Sequence, residues 1–245
     1  MRRIFPTSNA LSSDDVAASA LDVVALDVLY GVPRPAPDDR PWVGVCMIAS
    51  LDGSTVVDGR SGALGATGDR AVFSALRRAA DAILVGSATA RAEQYRSPKR
   101  AEQRVGVVTS TGTVDLSTDL FSSGAGFLVM PEDGPDAPSG IDVIRAGKGT
   151  VDLRDALTRL GEVMPPPTFV QAEGGARLNA GLLDADCVDE LNLSIAPLLV
   201  GGDGRRLIAG ATDTMQPFDA VHVLADDDGY LFSRWVRRPE AQSRR

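Results

Sequence analysis

The stretch TFVQAEGGARLN, residues 168–179, decides how this chain folds. It begins with an apolar run of strand length, passes through Glu173, Gly174 and Gly175, and leads into a helical pattern over residues 176–183. Paired glycines let backbone N–H groups approach a ligand closely, and the positive end of a helix dipole favours an anion such as a nucleotide phosphate. Glu173 is therefore predicted at the carboxyl end of a strand, where open α/β sheets bind ligands.

Apolar runs of strand length alternate with helical patterns along most of the chain, which is typical of an α/β sheet. Helices are predicted at 16–29, at 69–80 with Thr67 as the cap, and at 152–160. The last two strands flank the turn 226–229 and form an antiparallel hairpin. We expect a three-layer α/β fold, in which helices flank a mixed, mostly parallel sheet of about eight to nine strands. The strand-like runs are 42–49, 82–86, 104–109, 127–130, 141–146, 168–172, 190–196, 221–225 and 230–236.

The composition is that of a globular protein with an acidic surface. The 245 residues are 44% hydrophobic and carry a net charge of −8, so the overall field repels polyanions. Neither nucleic acid nor an anionic membrane surface is expected as the partner. No apolar run reaches the ~18 residues of a membrane span, and the start of the chain lacks a signal-peptide core, so a cytoplasmic location is expected. Cys46 and Cys187 lie far apart in apolar surroundings and predict two buried thiols, with neither a disulfide nor a metal site.

The chain divides into three segments. Residues 1–40 are predicted to form an N-terminal arm with one helix, in which residues 1–12 are loosely ordered. A proline-rich linker, residues 33–41, joins this arm to a domain at 41–238. Residues 239–245 are expected to be a disordered tail.

Two more strand ends carry polar residues. Asp52 follows the first long strand in Ser50-Leu51-Asp52-Gly53, although an Asp before a glycine is by itself more typical of a turn than of catalysis. Residues 86–93 again form a strand, a turn and a helix start, which suits a capped short helix as well as a ligand site. All three strand ends should open onto one edge of the sheet. The sole histidine, His222, lies in the terminal hairpin, so it is expected to be a structural or a surface residue, and a Ser-His-Asp hydrolase is poorly supported.

Neither of the common nucleotide-binding fingerprints, G-x-G-x-x-G or G-x-x-x-x-G-K-[ST], is present. From about residue 41 to residue 238 the chain instead resembles the pyrimidine reductase family of riboflavin biosynthesis, which has a dihydrofolate-reductase-like fold. The resemblance rests on RPWV (40–43), SLDG (50–53), AILVG (82–86) with Thr89 and Arg91, EGG (173–175), VDEL (188–191) and IAPLLVGG (195–202).

The resemblance implies NADPH as the cofactor, a homodimer, and a small pyrimidine substrate. The family default is 5-amino-6-(5-phosphoribosylamino)uracil, which is reduced to the ribitylamino product. In the bifunctional members this domain follows a zinc deaminase, whose H-x-E and P-C-x-x-C motifs are absent from this sequence. A stand-alone reductase is therefore expected.

Site residues follow from the same resemblance. Asp52 or Glu173 is the expected proton source, provided that burial raises its pKa toward neutrality. The 2′-phosphate of NADPH needs a cation, for which Arg91, Arg104 and Arg177 are the candidates. Substrate contacts are expected from Ser61, Arg77 and Glu173. Cofactor contacts are expected from Ile48, Ala49, Gly86, Thr89, Arg91, Glu93, Ser110, Gly174, Gly175, Ala176, Arg177 and Leu178. Of these, the backbone near Ile48 and Ala49 is expected to face the nicotinamide.

Two departures from the family pattern leave the substrate open. Cys46 stands where the family has a lysine that reaches the substrate, and Ala63 stands near a common tryptophan. Without the lysine, reduction of dihydrofolate or another pteridine is a second hypothesis, because such a substrate needs no sugar-phosphate contact. A third is a nucleotide-binding protein without turnover. A hydrolase or transferase is weakened by the missing catalytic histidine.

Overall fold

A computed structural model of the protein describes residues 1–5 and 23–239. Within these residues one sheet of ten strands runs through the molecule. The strands are β1 (Arg2–Phe5), β2 (Trp42–Ser50), β3 (Ala82–Gly86), β4 (Arg104–Val108), β5 (Gly126–Met130), β6 (Val143–Arg145), β7 (Phe169–Ala172), β8 (Glu190–Ala196), β9 (Phe218–Ala225) and β10 (Leu231–Arg237).

The spatial order of the strands is β1-β9-β10-β8-β2-β7-β3-β4-β5-β6. Every pairing from β8 to β6 is parallel, and the pairings of β10 with β8, of β9 with β10 and of β1 with β9 are antiparallel. The mostly parallel sheet with an antiparallel terminal hairpin is therefore confirmed. β2 lies at the centre of the sheet, with β7 on one side and β8 on the other.

Helices pack on both faces of the sheet, as the three-layer prediction requires. On one face, Leu26 and Leu76 from two helices pack against Ile48 of β2. On the other, Leu157 and Leu182 pack against Val45, whose side chain leaves β2 on the opposite side. The helices are α1 (Val23–Tyr30), α2 (Thr67–Ala79), α3 (Ser87–Ala92), α4 (Asp119–Ser122), α5 (Leu153–Thr158) and α6 (Ala176–Asp184), with a 3₁₀ turn at Leu160–Glu162.

Two sequence-based expectations need correction, and two others lie partly outside the described residues. Residues 2–5 are not loose but form edge strand β1, which brings the sheet to ten strands. Thr67 does not cap α2, because the helix begins at Thr67 and its N-cap, Ala66, has no side chain that could bond the free N–H groups. The described part of the first predicted helix is α1, and residues 16–22 of that prediction lie outside the described residues, as do 240–245 of the expected tail.

Residues 23–40 pack on the sheet through buried ion pairs. The Arg34 guanidinium donates to both carboxylate oxygens of Glu190 in β8, at 2.9 and 3.0 Å. Arg40 donates to both oxygens of Asp189, at 2.6 and 2.9 Å. Arg234 of β10 adds a bond to Glu190 at 2.8 Å. The segment before β2 is thus held by charge-assisted bonds to the strand that lies beside β2.

Residues of β8 alternate between the two faces of the sheet. Glu190, Asn192 and Ser194 are buried on the face that carries α1 and α2. The apolar residues between them contribute to a partly exposed groove of about 380 Å³ on the other face. The groove is lined by Leu191, Leu193, Ile195, Phe218, Val223, Leu231, Ser233 and Trp235.

Candidate active site

A cavity of about 470 Å³ opens at the carboxyl ends of the central parallel strands. Its walls come from β2, from the turn after β7, from α2 and α3, and from the glycine-rich loop between β2 and α2. This is the edge of an open α/β sheet where ligands usually bind. It brings together the following predicted site residues: Ile48, Ser61, Arg77, Thr89, Glu93, Glu173, Gly175 and Ala176.

The turn after β7 is shaped by its two glycines. Gly174 has a φ of +80°, a backbone conformation that side chains with a Cβ rarely adopt, and a Cβ there would approach Met47 Sδ at 2.8 Å. A Cβ on Gly175 would lie 2.7 Å from Thr89 Oγ1. The N–H of Gly86 donates to the Gly174 carbonyl at 2.7 Å, which ties the turn to β3. The predicted sequence of strand, turn and helix is confirmed, with α6 beginning at Ala176.

Glu173 is surrounded by hydrogen-bond donors. Arg77 donates from Nε to Oε1 at 2.7 Å and from Nη2 to Oε2 at 2.6 Å. The Tyr95 hydroxyl donates to Oε2 at 2.6 Å, and Gln171 Nε2 donates to Oε1 at 2.8 Å. The Glu173 side chain is 1% exposed. The carboxylate therefore acts as an acceptor that fixes the Arg77 guanidinium in the cavity wall.

Ser61 and Glu93 join two walls of the cavity. The backbone N–H and the hydroxyl of Ser61 both donate to Glu93 Oε1, at 2.7 and 3.0 Å. The loop between β2 and α2 is thereby attached to the end of α3. Their predicted roles, one toward substrate and one toward cofactor, remain predictions.

Asp52 does not fit the role of a buried acid. Its carboxylate is exposed and accepts bonds from Ser50 Oγ at 2.5 Å and from the Gly201 N–H at 2.7 Å. These bonds, with another from the Val200 N–H, lower the pKa of Asp52 to about 2. The prediction that burial raises its pKa is wrong, because Asp52 turns away from the cavity and anchors the glycine-rich loop after β8.

The other predicted cofactor residues do not line the cavity. Gly86, Gly174 and Leu178 stand behind its wall, where a Cβ on Gly86 would lie 3.4 Å from the Gly175 nitrogen and 3.9 Å from Leu178 Cβ. Ala49 follows the cavity residue Ile48 and is buried. Arg91, Ser110 and Arg177 are exposed and line no part of the cavity.

Arg104 lies far from the cavity, which contradicts its predicted contact with the 2′-phosphate of NADPH. It begins β4, at the amino end of the parallel strands, whereas the cavity lies at their carboxyl ends. Its guanidinium is held there by Asp142 at 2.7 Å and by the Gly126 carbonyl at 3.2 Å. Arg91 and Arg177 remain as candidates.

The residue that stands in place of the family's lysine, Cys46, lines the cavity. Cys46 lies in the cavity wall and is less buried than expected, whereas Cys187 is buried as expected. Burial raises the pKa of Cys46 well above its ordinary value, and the charges of Glu173 and Asp69 act in the same direction. The wall therefore presents a neutral thiol instead of a cation at this position. Ala63 is exposed and does not line the cavity.

The cavity also contains residues that the sequence reasoning missed. Tyr95 reaches Glu173 because Gln94, with a φ of +53°, ends α3 in a left-handed turn. Asp69 lies in the first turn of α2 and is half-buried in the cavity wall. Burial raises its pKa, while a hydrogen bond from Ser194 and the charge of Arg70 partly offset the rise. Neither residue belongs to a recognisable motif, and an acidic residue in the first turn of a helix usually needs no explanation beyond the helix dipole.

His222 is buried away from the cavity, which agrees with the first of the two expected positions. It is completely buried beneath α1, and its ring meets that of Tyr30 edge-on with centroids 5.1 Å apart. Burial lowers the pKa of His222 to about 4, with Arg234 and Arg3 acting in the same direction. Within residues 1–5 and 23–239, none of the helices has the length and hydropathy of a membrane-spanning segment, and His, Cys, Asp and Glu form no group suited to a metal ion.

Comparison with known proteins identifies the family. A riboflavin biosynthesis protein RibD of Bacillus amyloliquefaciens is 29% identical over 176 residues, which cover 66% of this chain and 47% of that protein. A 2,5-diamino-6-ribosylamino-4(3H)-pyrimidinone 5′-phosphate reductase of Methanothermobacter thermautotrophicus is 30% identical over 188 residues, which cover 70% of this chain and 85% of that protein.

Solved structures share the fold. A pyrimidine reductase-like protein from Corynebacterium diphtheriae matches 87% of this chain and 98% of its own, with a TM-score of 0.73 and 23% identity. The riboflavin biosynthesis reductase Rib7 of Saccharomyces cerevisiae matches 89% of this chain and 100% of its own, with a TM-score of 0.66 and 17% identity. The RibD C-terminal domain family model covers residues 41–232, and the chain therefore belongs to that family.

Proposed function

We propose that this protein is an NADPH-dependent reductase of a pyrimidine substrate, by family default 5-amino-6-(5-phosphoribosylamino)uracil, which it converts to the ribitylamino product. A glycine turn at the start of α6 and the ion pair of Arg77 with Glu173 face one cavity of about 470 Å³, large enough for the reacting ends of two small molecules. The relative from Methanothermobacter thermautotrophicus is named as a reductase of a ribosylaminopyrimidine phosphate.

The residues present suit a dinucleotide. The backbone of Gly175 is open to a ligand because the residue has no Cβ, which would lie close to Thr89. The first N–H groups of α6 have no carbonyl of a preceding helical turn to bond and no side-chain cap, so they are available to a phosphate. Thr89 borders the space above Gly175, and Arg91 and Arg177 offer exposed cations for a 2′-phosphate. NADPH, when bound, supplies a hydride.

The chain's own residues orient the substrate. Glu173 bonds Nε and Nη2 of Arg77, which leaves Nη1 for a substrate oxygen. Glu173 is then a positioning residue, because its own oxygens are occupied by Arg77, Tyr95 and Gln171. Positioning of this kind can lower a barrier by roughly 7 kcal/mol or more.

The proposal is tested by steady-state oxidation of NADPH, followed by its absorbance, in the presence of the phosphoribosylaminouracil. Turnover that yields the ribitylamino product is the expected result. Tight NADPH binding without turnover on any aminouracil or pteridine would favour the third hypothesis, a nucleotide-binding protein. NADH lacks the 2′-phosphate, so the rate with NADH at the same concentration serves as the control and should be lower than the rate with NADPH.

Reduction of dihydrofolate or another pteridine is the second candidate, and Cys46 is the observation that favours it. A neutral thiol in the cavity wall provides no cation for a sugar phosphate. The same assay with dihydrofolate separates the two substrates. Turnover of dihydrofolate alone would replace the default substrate.

We also propose that the protein is a homodimer. The apolar groove on β8, β9 and β10 includes Leu193, Leu231 and Trp235 and has no charged lining residue, so a second copy is its expected occupant. Sedimentation of the wild type as a dimer and of Leu193→Arg as a folded monomer would support this. A monomeric wild type at micromolar concentration would contradict it.

A further inference from the structure

We propose that Asp69 is the general acid of the reduction and gives its proton to the substrate nitrogen. This inference rests on the proposed function and names the residue that completes its chemistry. It replaces both carboxyl groups expected from the sequence, Asp52 and Glu173.

Asp69, in the first turn of α2, lies next to the central strands of the sheet. Its carboxylate accepts a hydrogen bond from Ser194, on the face of β8 that looks toward α2. Ser194 is the register partner of Ile48 in the parallel pairing of β8 with β2. The backbone at Ile48 is where the resemblance places the nicotinamide. Asp69 therefore stands beside the strand position at which hydride transfer is expected, in the wall of the same cavity.

The other carboxylates in the cavity wall are already committed. Glu93 accepts from the backbone and the hydroxyl of Ser61, and Glu173 accepts from Arg77, Tyr95 and Gln171. Asp69, by contrast, forms no ion pair within the described part of the chain, although Arg70 is its neighbour. Among the carboxyl groups that line the cavity, Asp69 is thus the one that is neither paired with a guanidinium nor bonded by several donors, so it is free to carry and give a proton.

The surroundings of Asp69 favour its protonated form. Burial raises its pKa, and the hydrogen bond from Ser194 and the charge of Arg70 reduce the rise without cancelling it. Four groups from the neighbouring elements interact with it directly or through its charge: Ser194 of β8, Arg70 of α2, Cys46 of β2 and Tyr230 of the terminal hairpin. Arg77, Glu173 and Arg205 are charged groups that line the same cavity, and Asp226 lies close to the neighbouring Gly68.

The carbon of the substrate's C=N bond receives a hydride from the reduced nicotinamide, which is oxidised, and the electron pair of the π bond moves to nitrogen. The Oδ–H bond of Asp69 breaks as a new N–H bond forms, so that C=N becomes CH–NH. Asp69 is left as a carboxylate, and solvent entering through the open cavity protonates it again before the next turnover.

The test is the pH profile of kcat for three variants and the wild type. For the wild type, kcat should fall as the pH rises through the pKa of Asp69, because the acid form is lost. Asp69→Asn should lower kcat by about 10²-fold or more and abolish this dependence, and Asp69→Glu should restore it in part. Asp136→Asn, an exposed carboxylate before β6, is the matched control and should behave as the wild type.

Binding separates the inference from folding and from the proposed function. Asp69→Asn should keep the NADPH Kd of the wild type within about twofold, since the phosphate turn is unchanged. Asp69→Asn with wild-type kcat and pH profile would overturn the role of Asp69 while leaving the reductase proposal intact. A wild type that oxidises NADPH with none of the substrates would overturn both.

Discussion

Arg77 of α2 and Glu173 after β7, 96 residues apart in sequence, form a two-point ion pair with N–O distances of 2.7 and 2.6 Å. The pair joins a helix to a strand end and sets the direction of the guanidinium. The Tyr95 ring lies 5.3 Å from the Arg77 guanidinium carbon and its hydroxyl bonds the same carboxylate, which closes the arrangement on a third side.

Replacing Glu173 should therefore affect substrate binding through Arg77. Glu173→Gln keeps the size of the side chain but replaces one acceptor oxygen with a donor that faces Arg77, so the guanidinium must turn. We expect KM for the substrate to rise about tenfold or more with a smaller change in kcat, measured by steady-state kinetics. Glu102→Gln, on an exposed loop, is the control. A fall in kcat alone with unchanged KM would contradict a positioning role.

Gly175 should control cofactor affinity. Gly175→Val places a branched side chain where even a Cβ would lie 2.7 Å from Thr89 Oγ1, and so blocks the backbone approach to a diphosphate. NADPH affinity measured by calorimetry should fall tenfold or more. Gly161→Ala, whose Cβ would meet its nearest neighbour, Pro166, at an ordinary 3.5 Å, should bind normally. Unchanged affinity in Gly175→Val would mean that the phosphate lies elsewhere.

The sequence predicted features that are encoded locally. The turn at Gly174 and Gly175, with the strand before it and the helix after it, could be predicted because an apolar run, paired glycines and a helix start lie within about a dozen neighbouring residues. Nine strands were expected at positions close to those observed. β1 was not, because residues 2–5 form a strand only by pairing with β9, more than 200 residues later.

The site was predicted less completely for the same reason. Asp52 stands at a strand end as expected, but the direction of its carboxylate depends on the loop after β8, whose N–H groups it accepts. Asp69 enters the cavity wall only through the packing of α2 on the sheet, which no local pattern specifies. Motif resemblance supplied Arg77 and Glu173 individually, and their contact with each other is visible only in the folded chain.

The bond between Arg34 and Glu190 should make the segment before β2 essential to stability. Both side chains are almost fully buried, at 4% and 0% exposure. Arg34→Ala removes one of two guanidinium partners of Glu190, and we expect the free energy of unfolding to fall by about 3 kcal/mol in urea titrations. Arg154→Ala breaks a pair with Asp39 in which both side chains are nearly half exposed, so it should cost about 1 kcal/mol or less. Equal effects of the two variants would refute the anchoring role.

His222 should set the stability of the protein in mild acid. Burial lowers its pKa to about 4, below the ordinary 6.5, so the unfolded chain binds its proton first as the pH falls. The stability that neutral His222 contributes is present above pH 6.5 and is lost between 6.5 and about 4. Titration of Glu190 contributes little in this pH range. Burial would raise its pKa, but bonds from Arg234 and Arg34 lower the pKa to about 2. The stability that ionised Glu190 contributes is therefore lost only below its ordinary pKa of 4.5.

The comparison of pH 7 with pH 5, made for the wild type and for a variant without the imidazole, therefore isolates the histidine. The wild type should lose about 2 kcal/mol of unfolding free energy over this interval, read from urea transitions at each pH. His222→Phe replaces an imidazole that contacts the Tyr30 ring edge-on with an aromatic ring that cannot titrate. Its stability should change much less over the same interval, whatever its value at pH 7. If the variant loses as much stability as the wild type, other groups are responsible for the acid sensitivity.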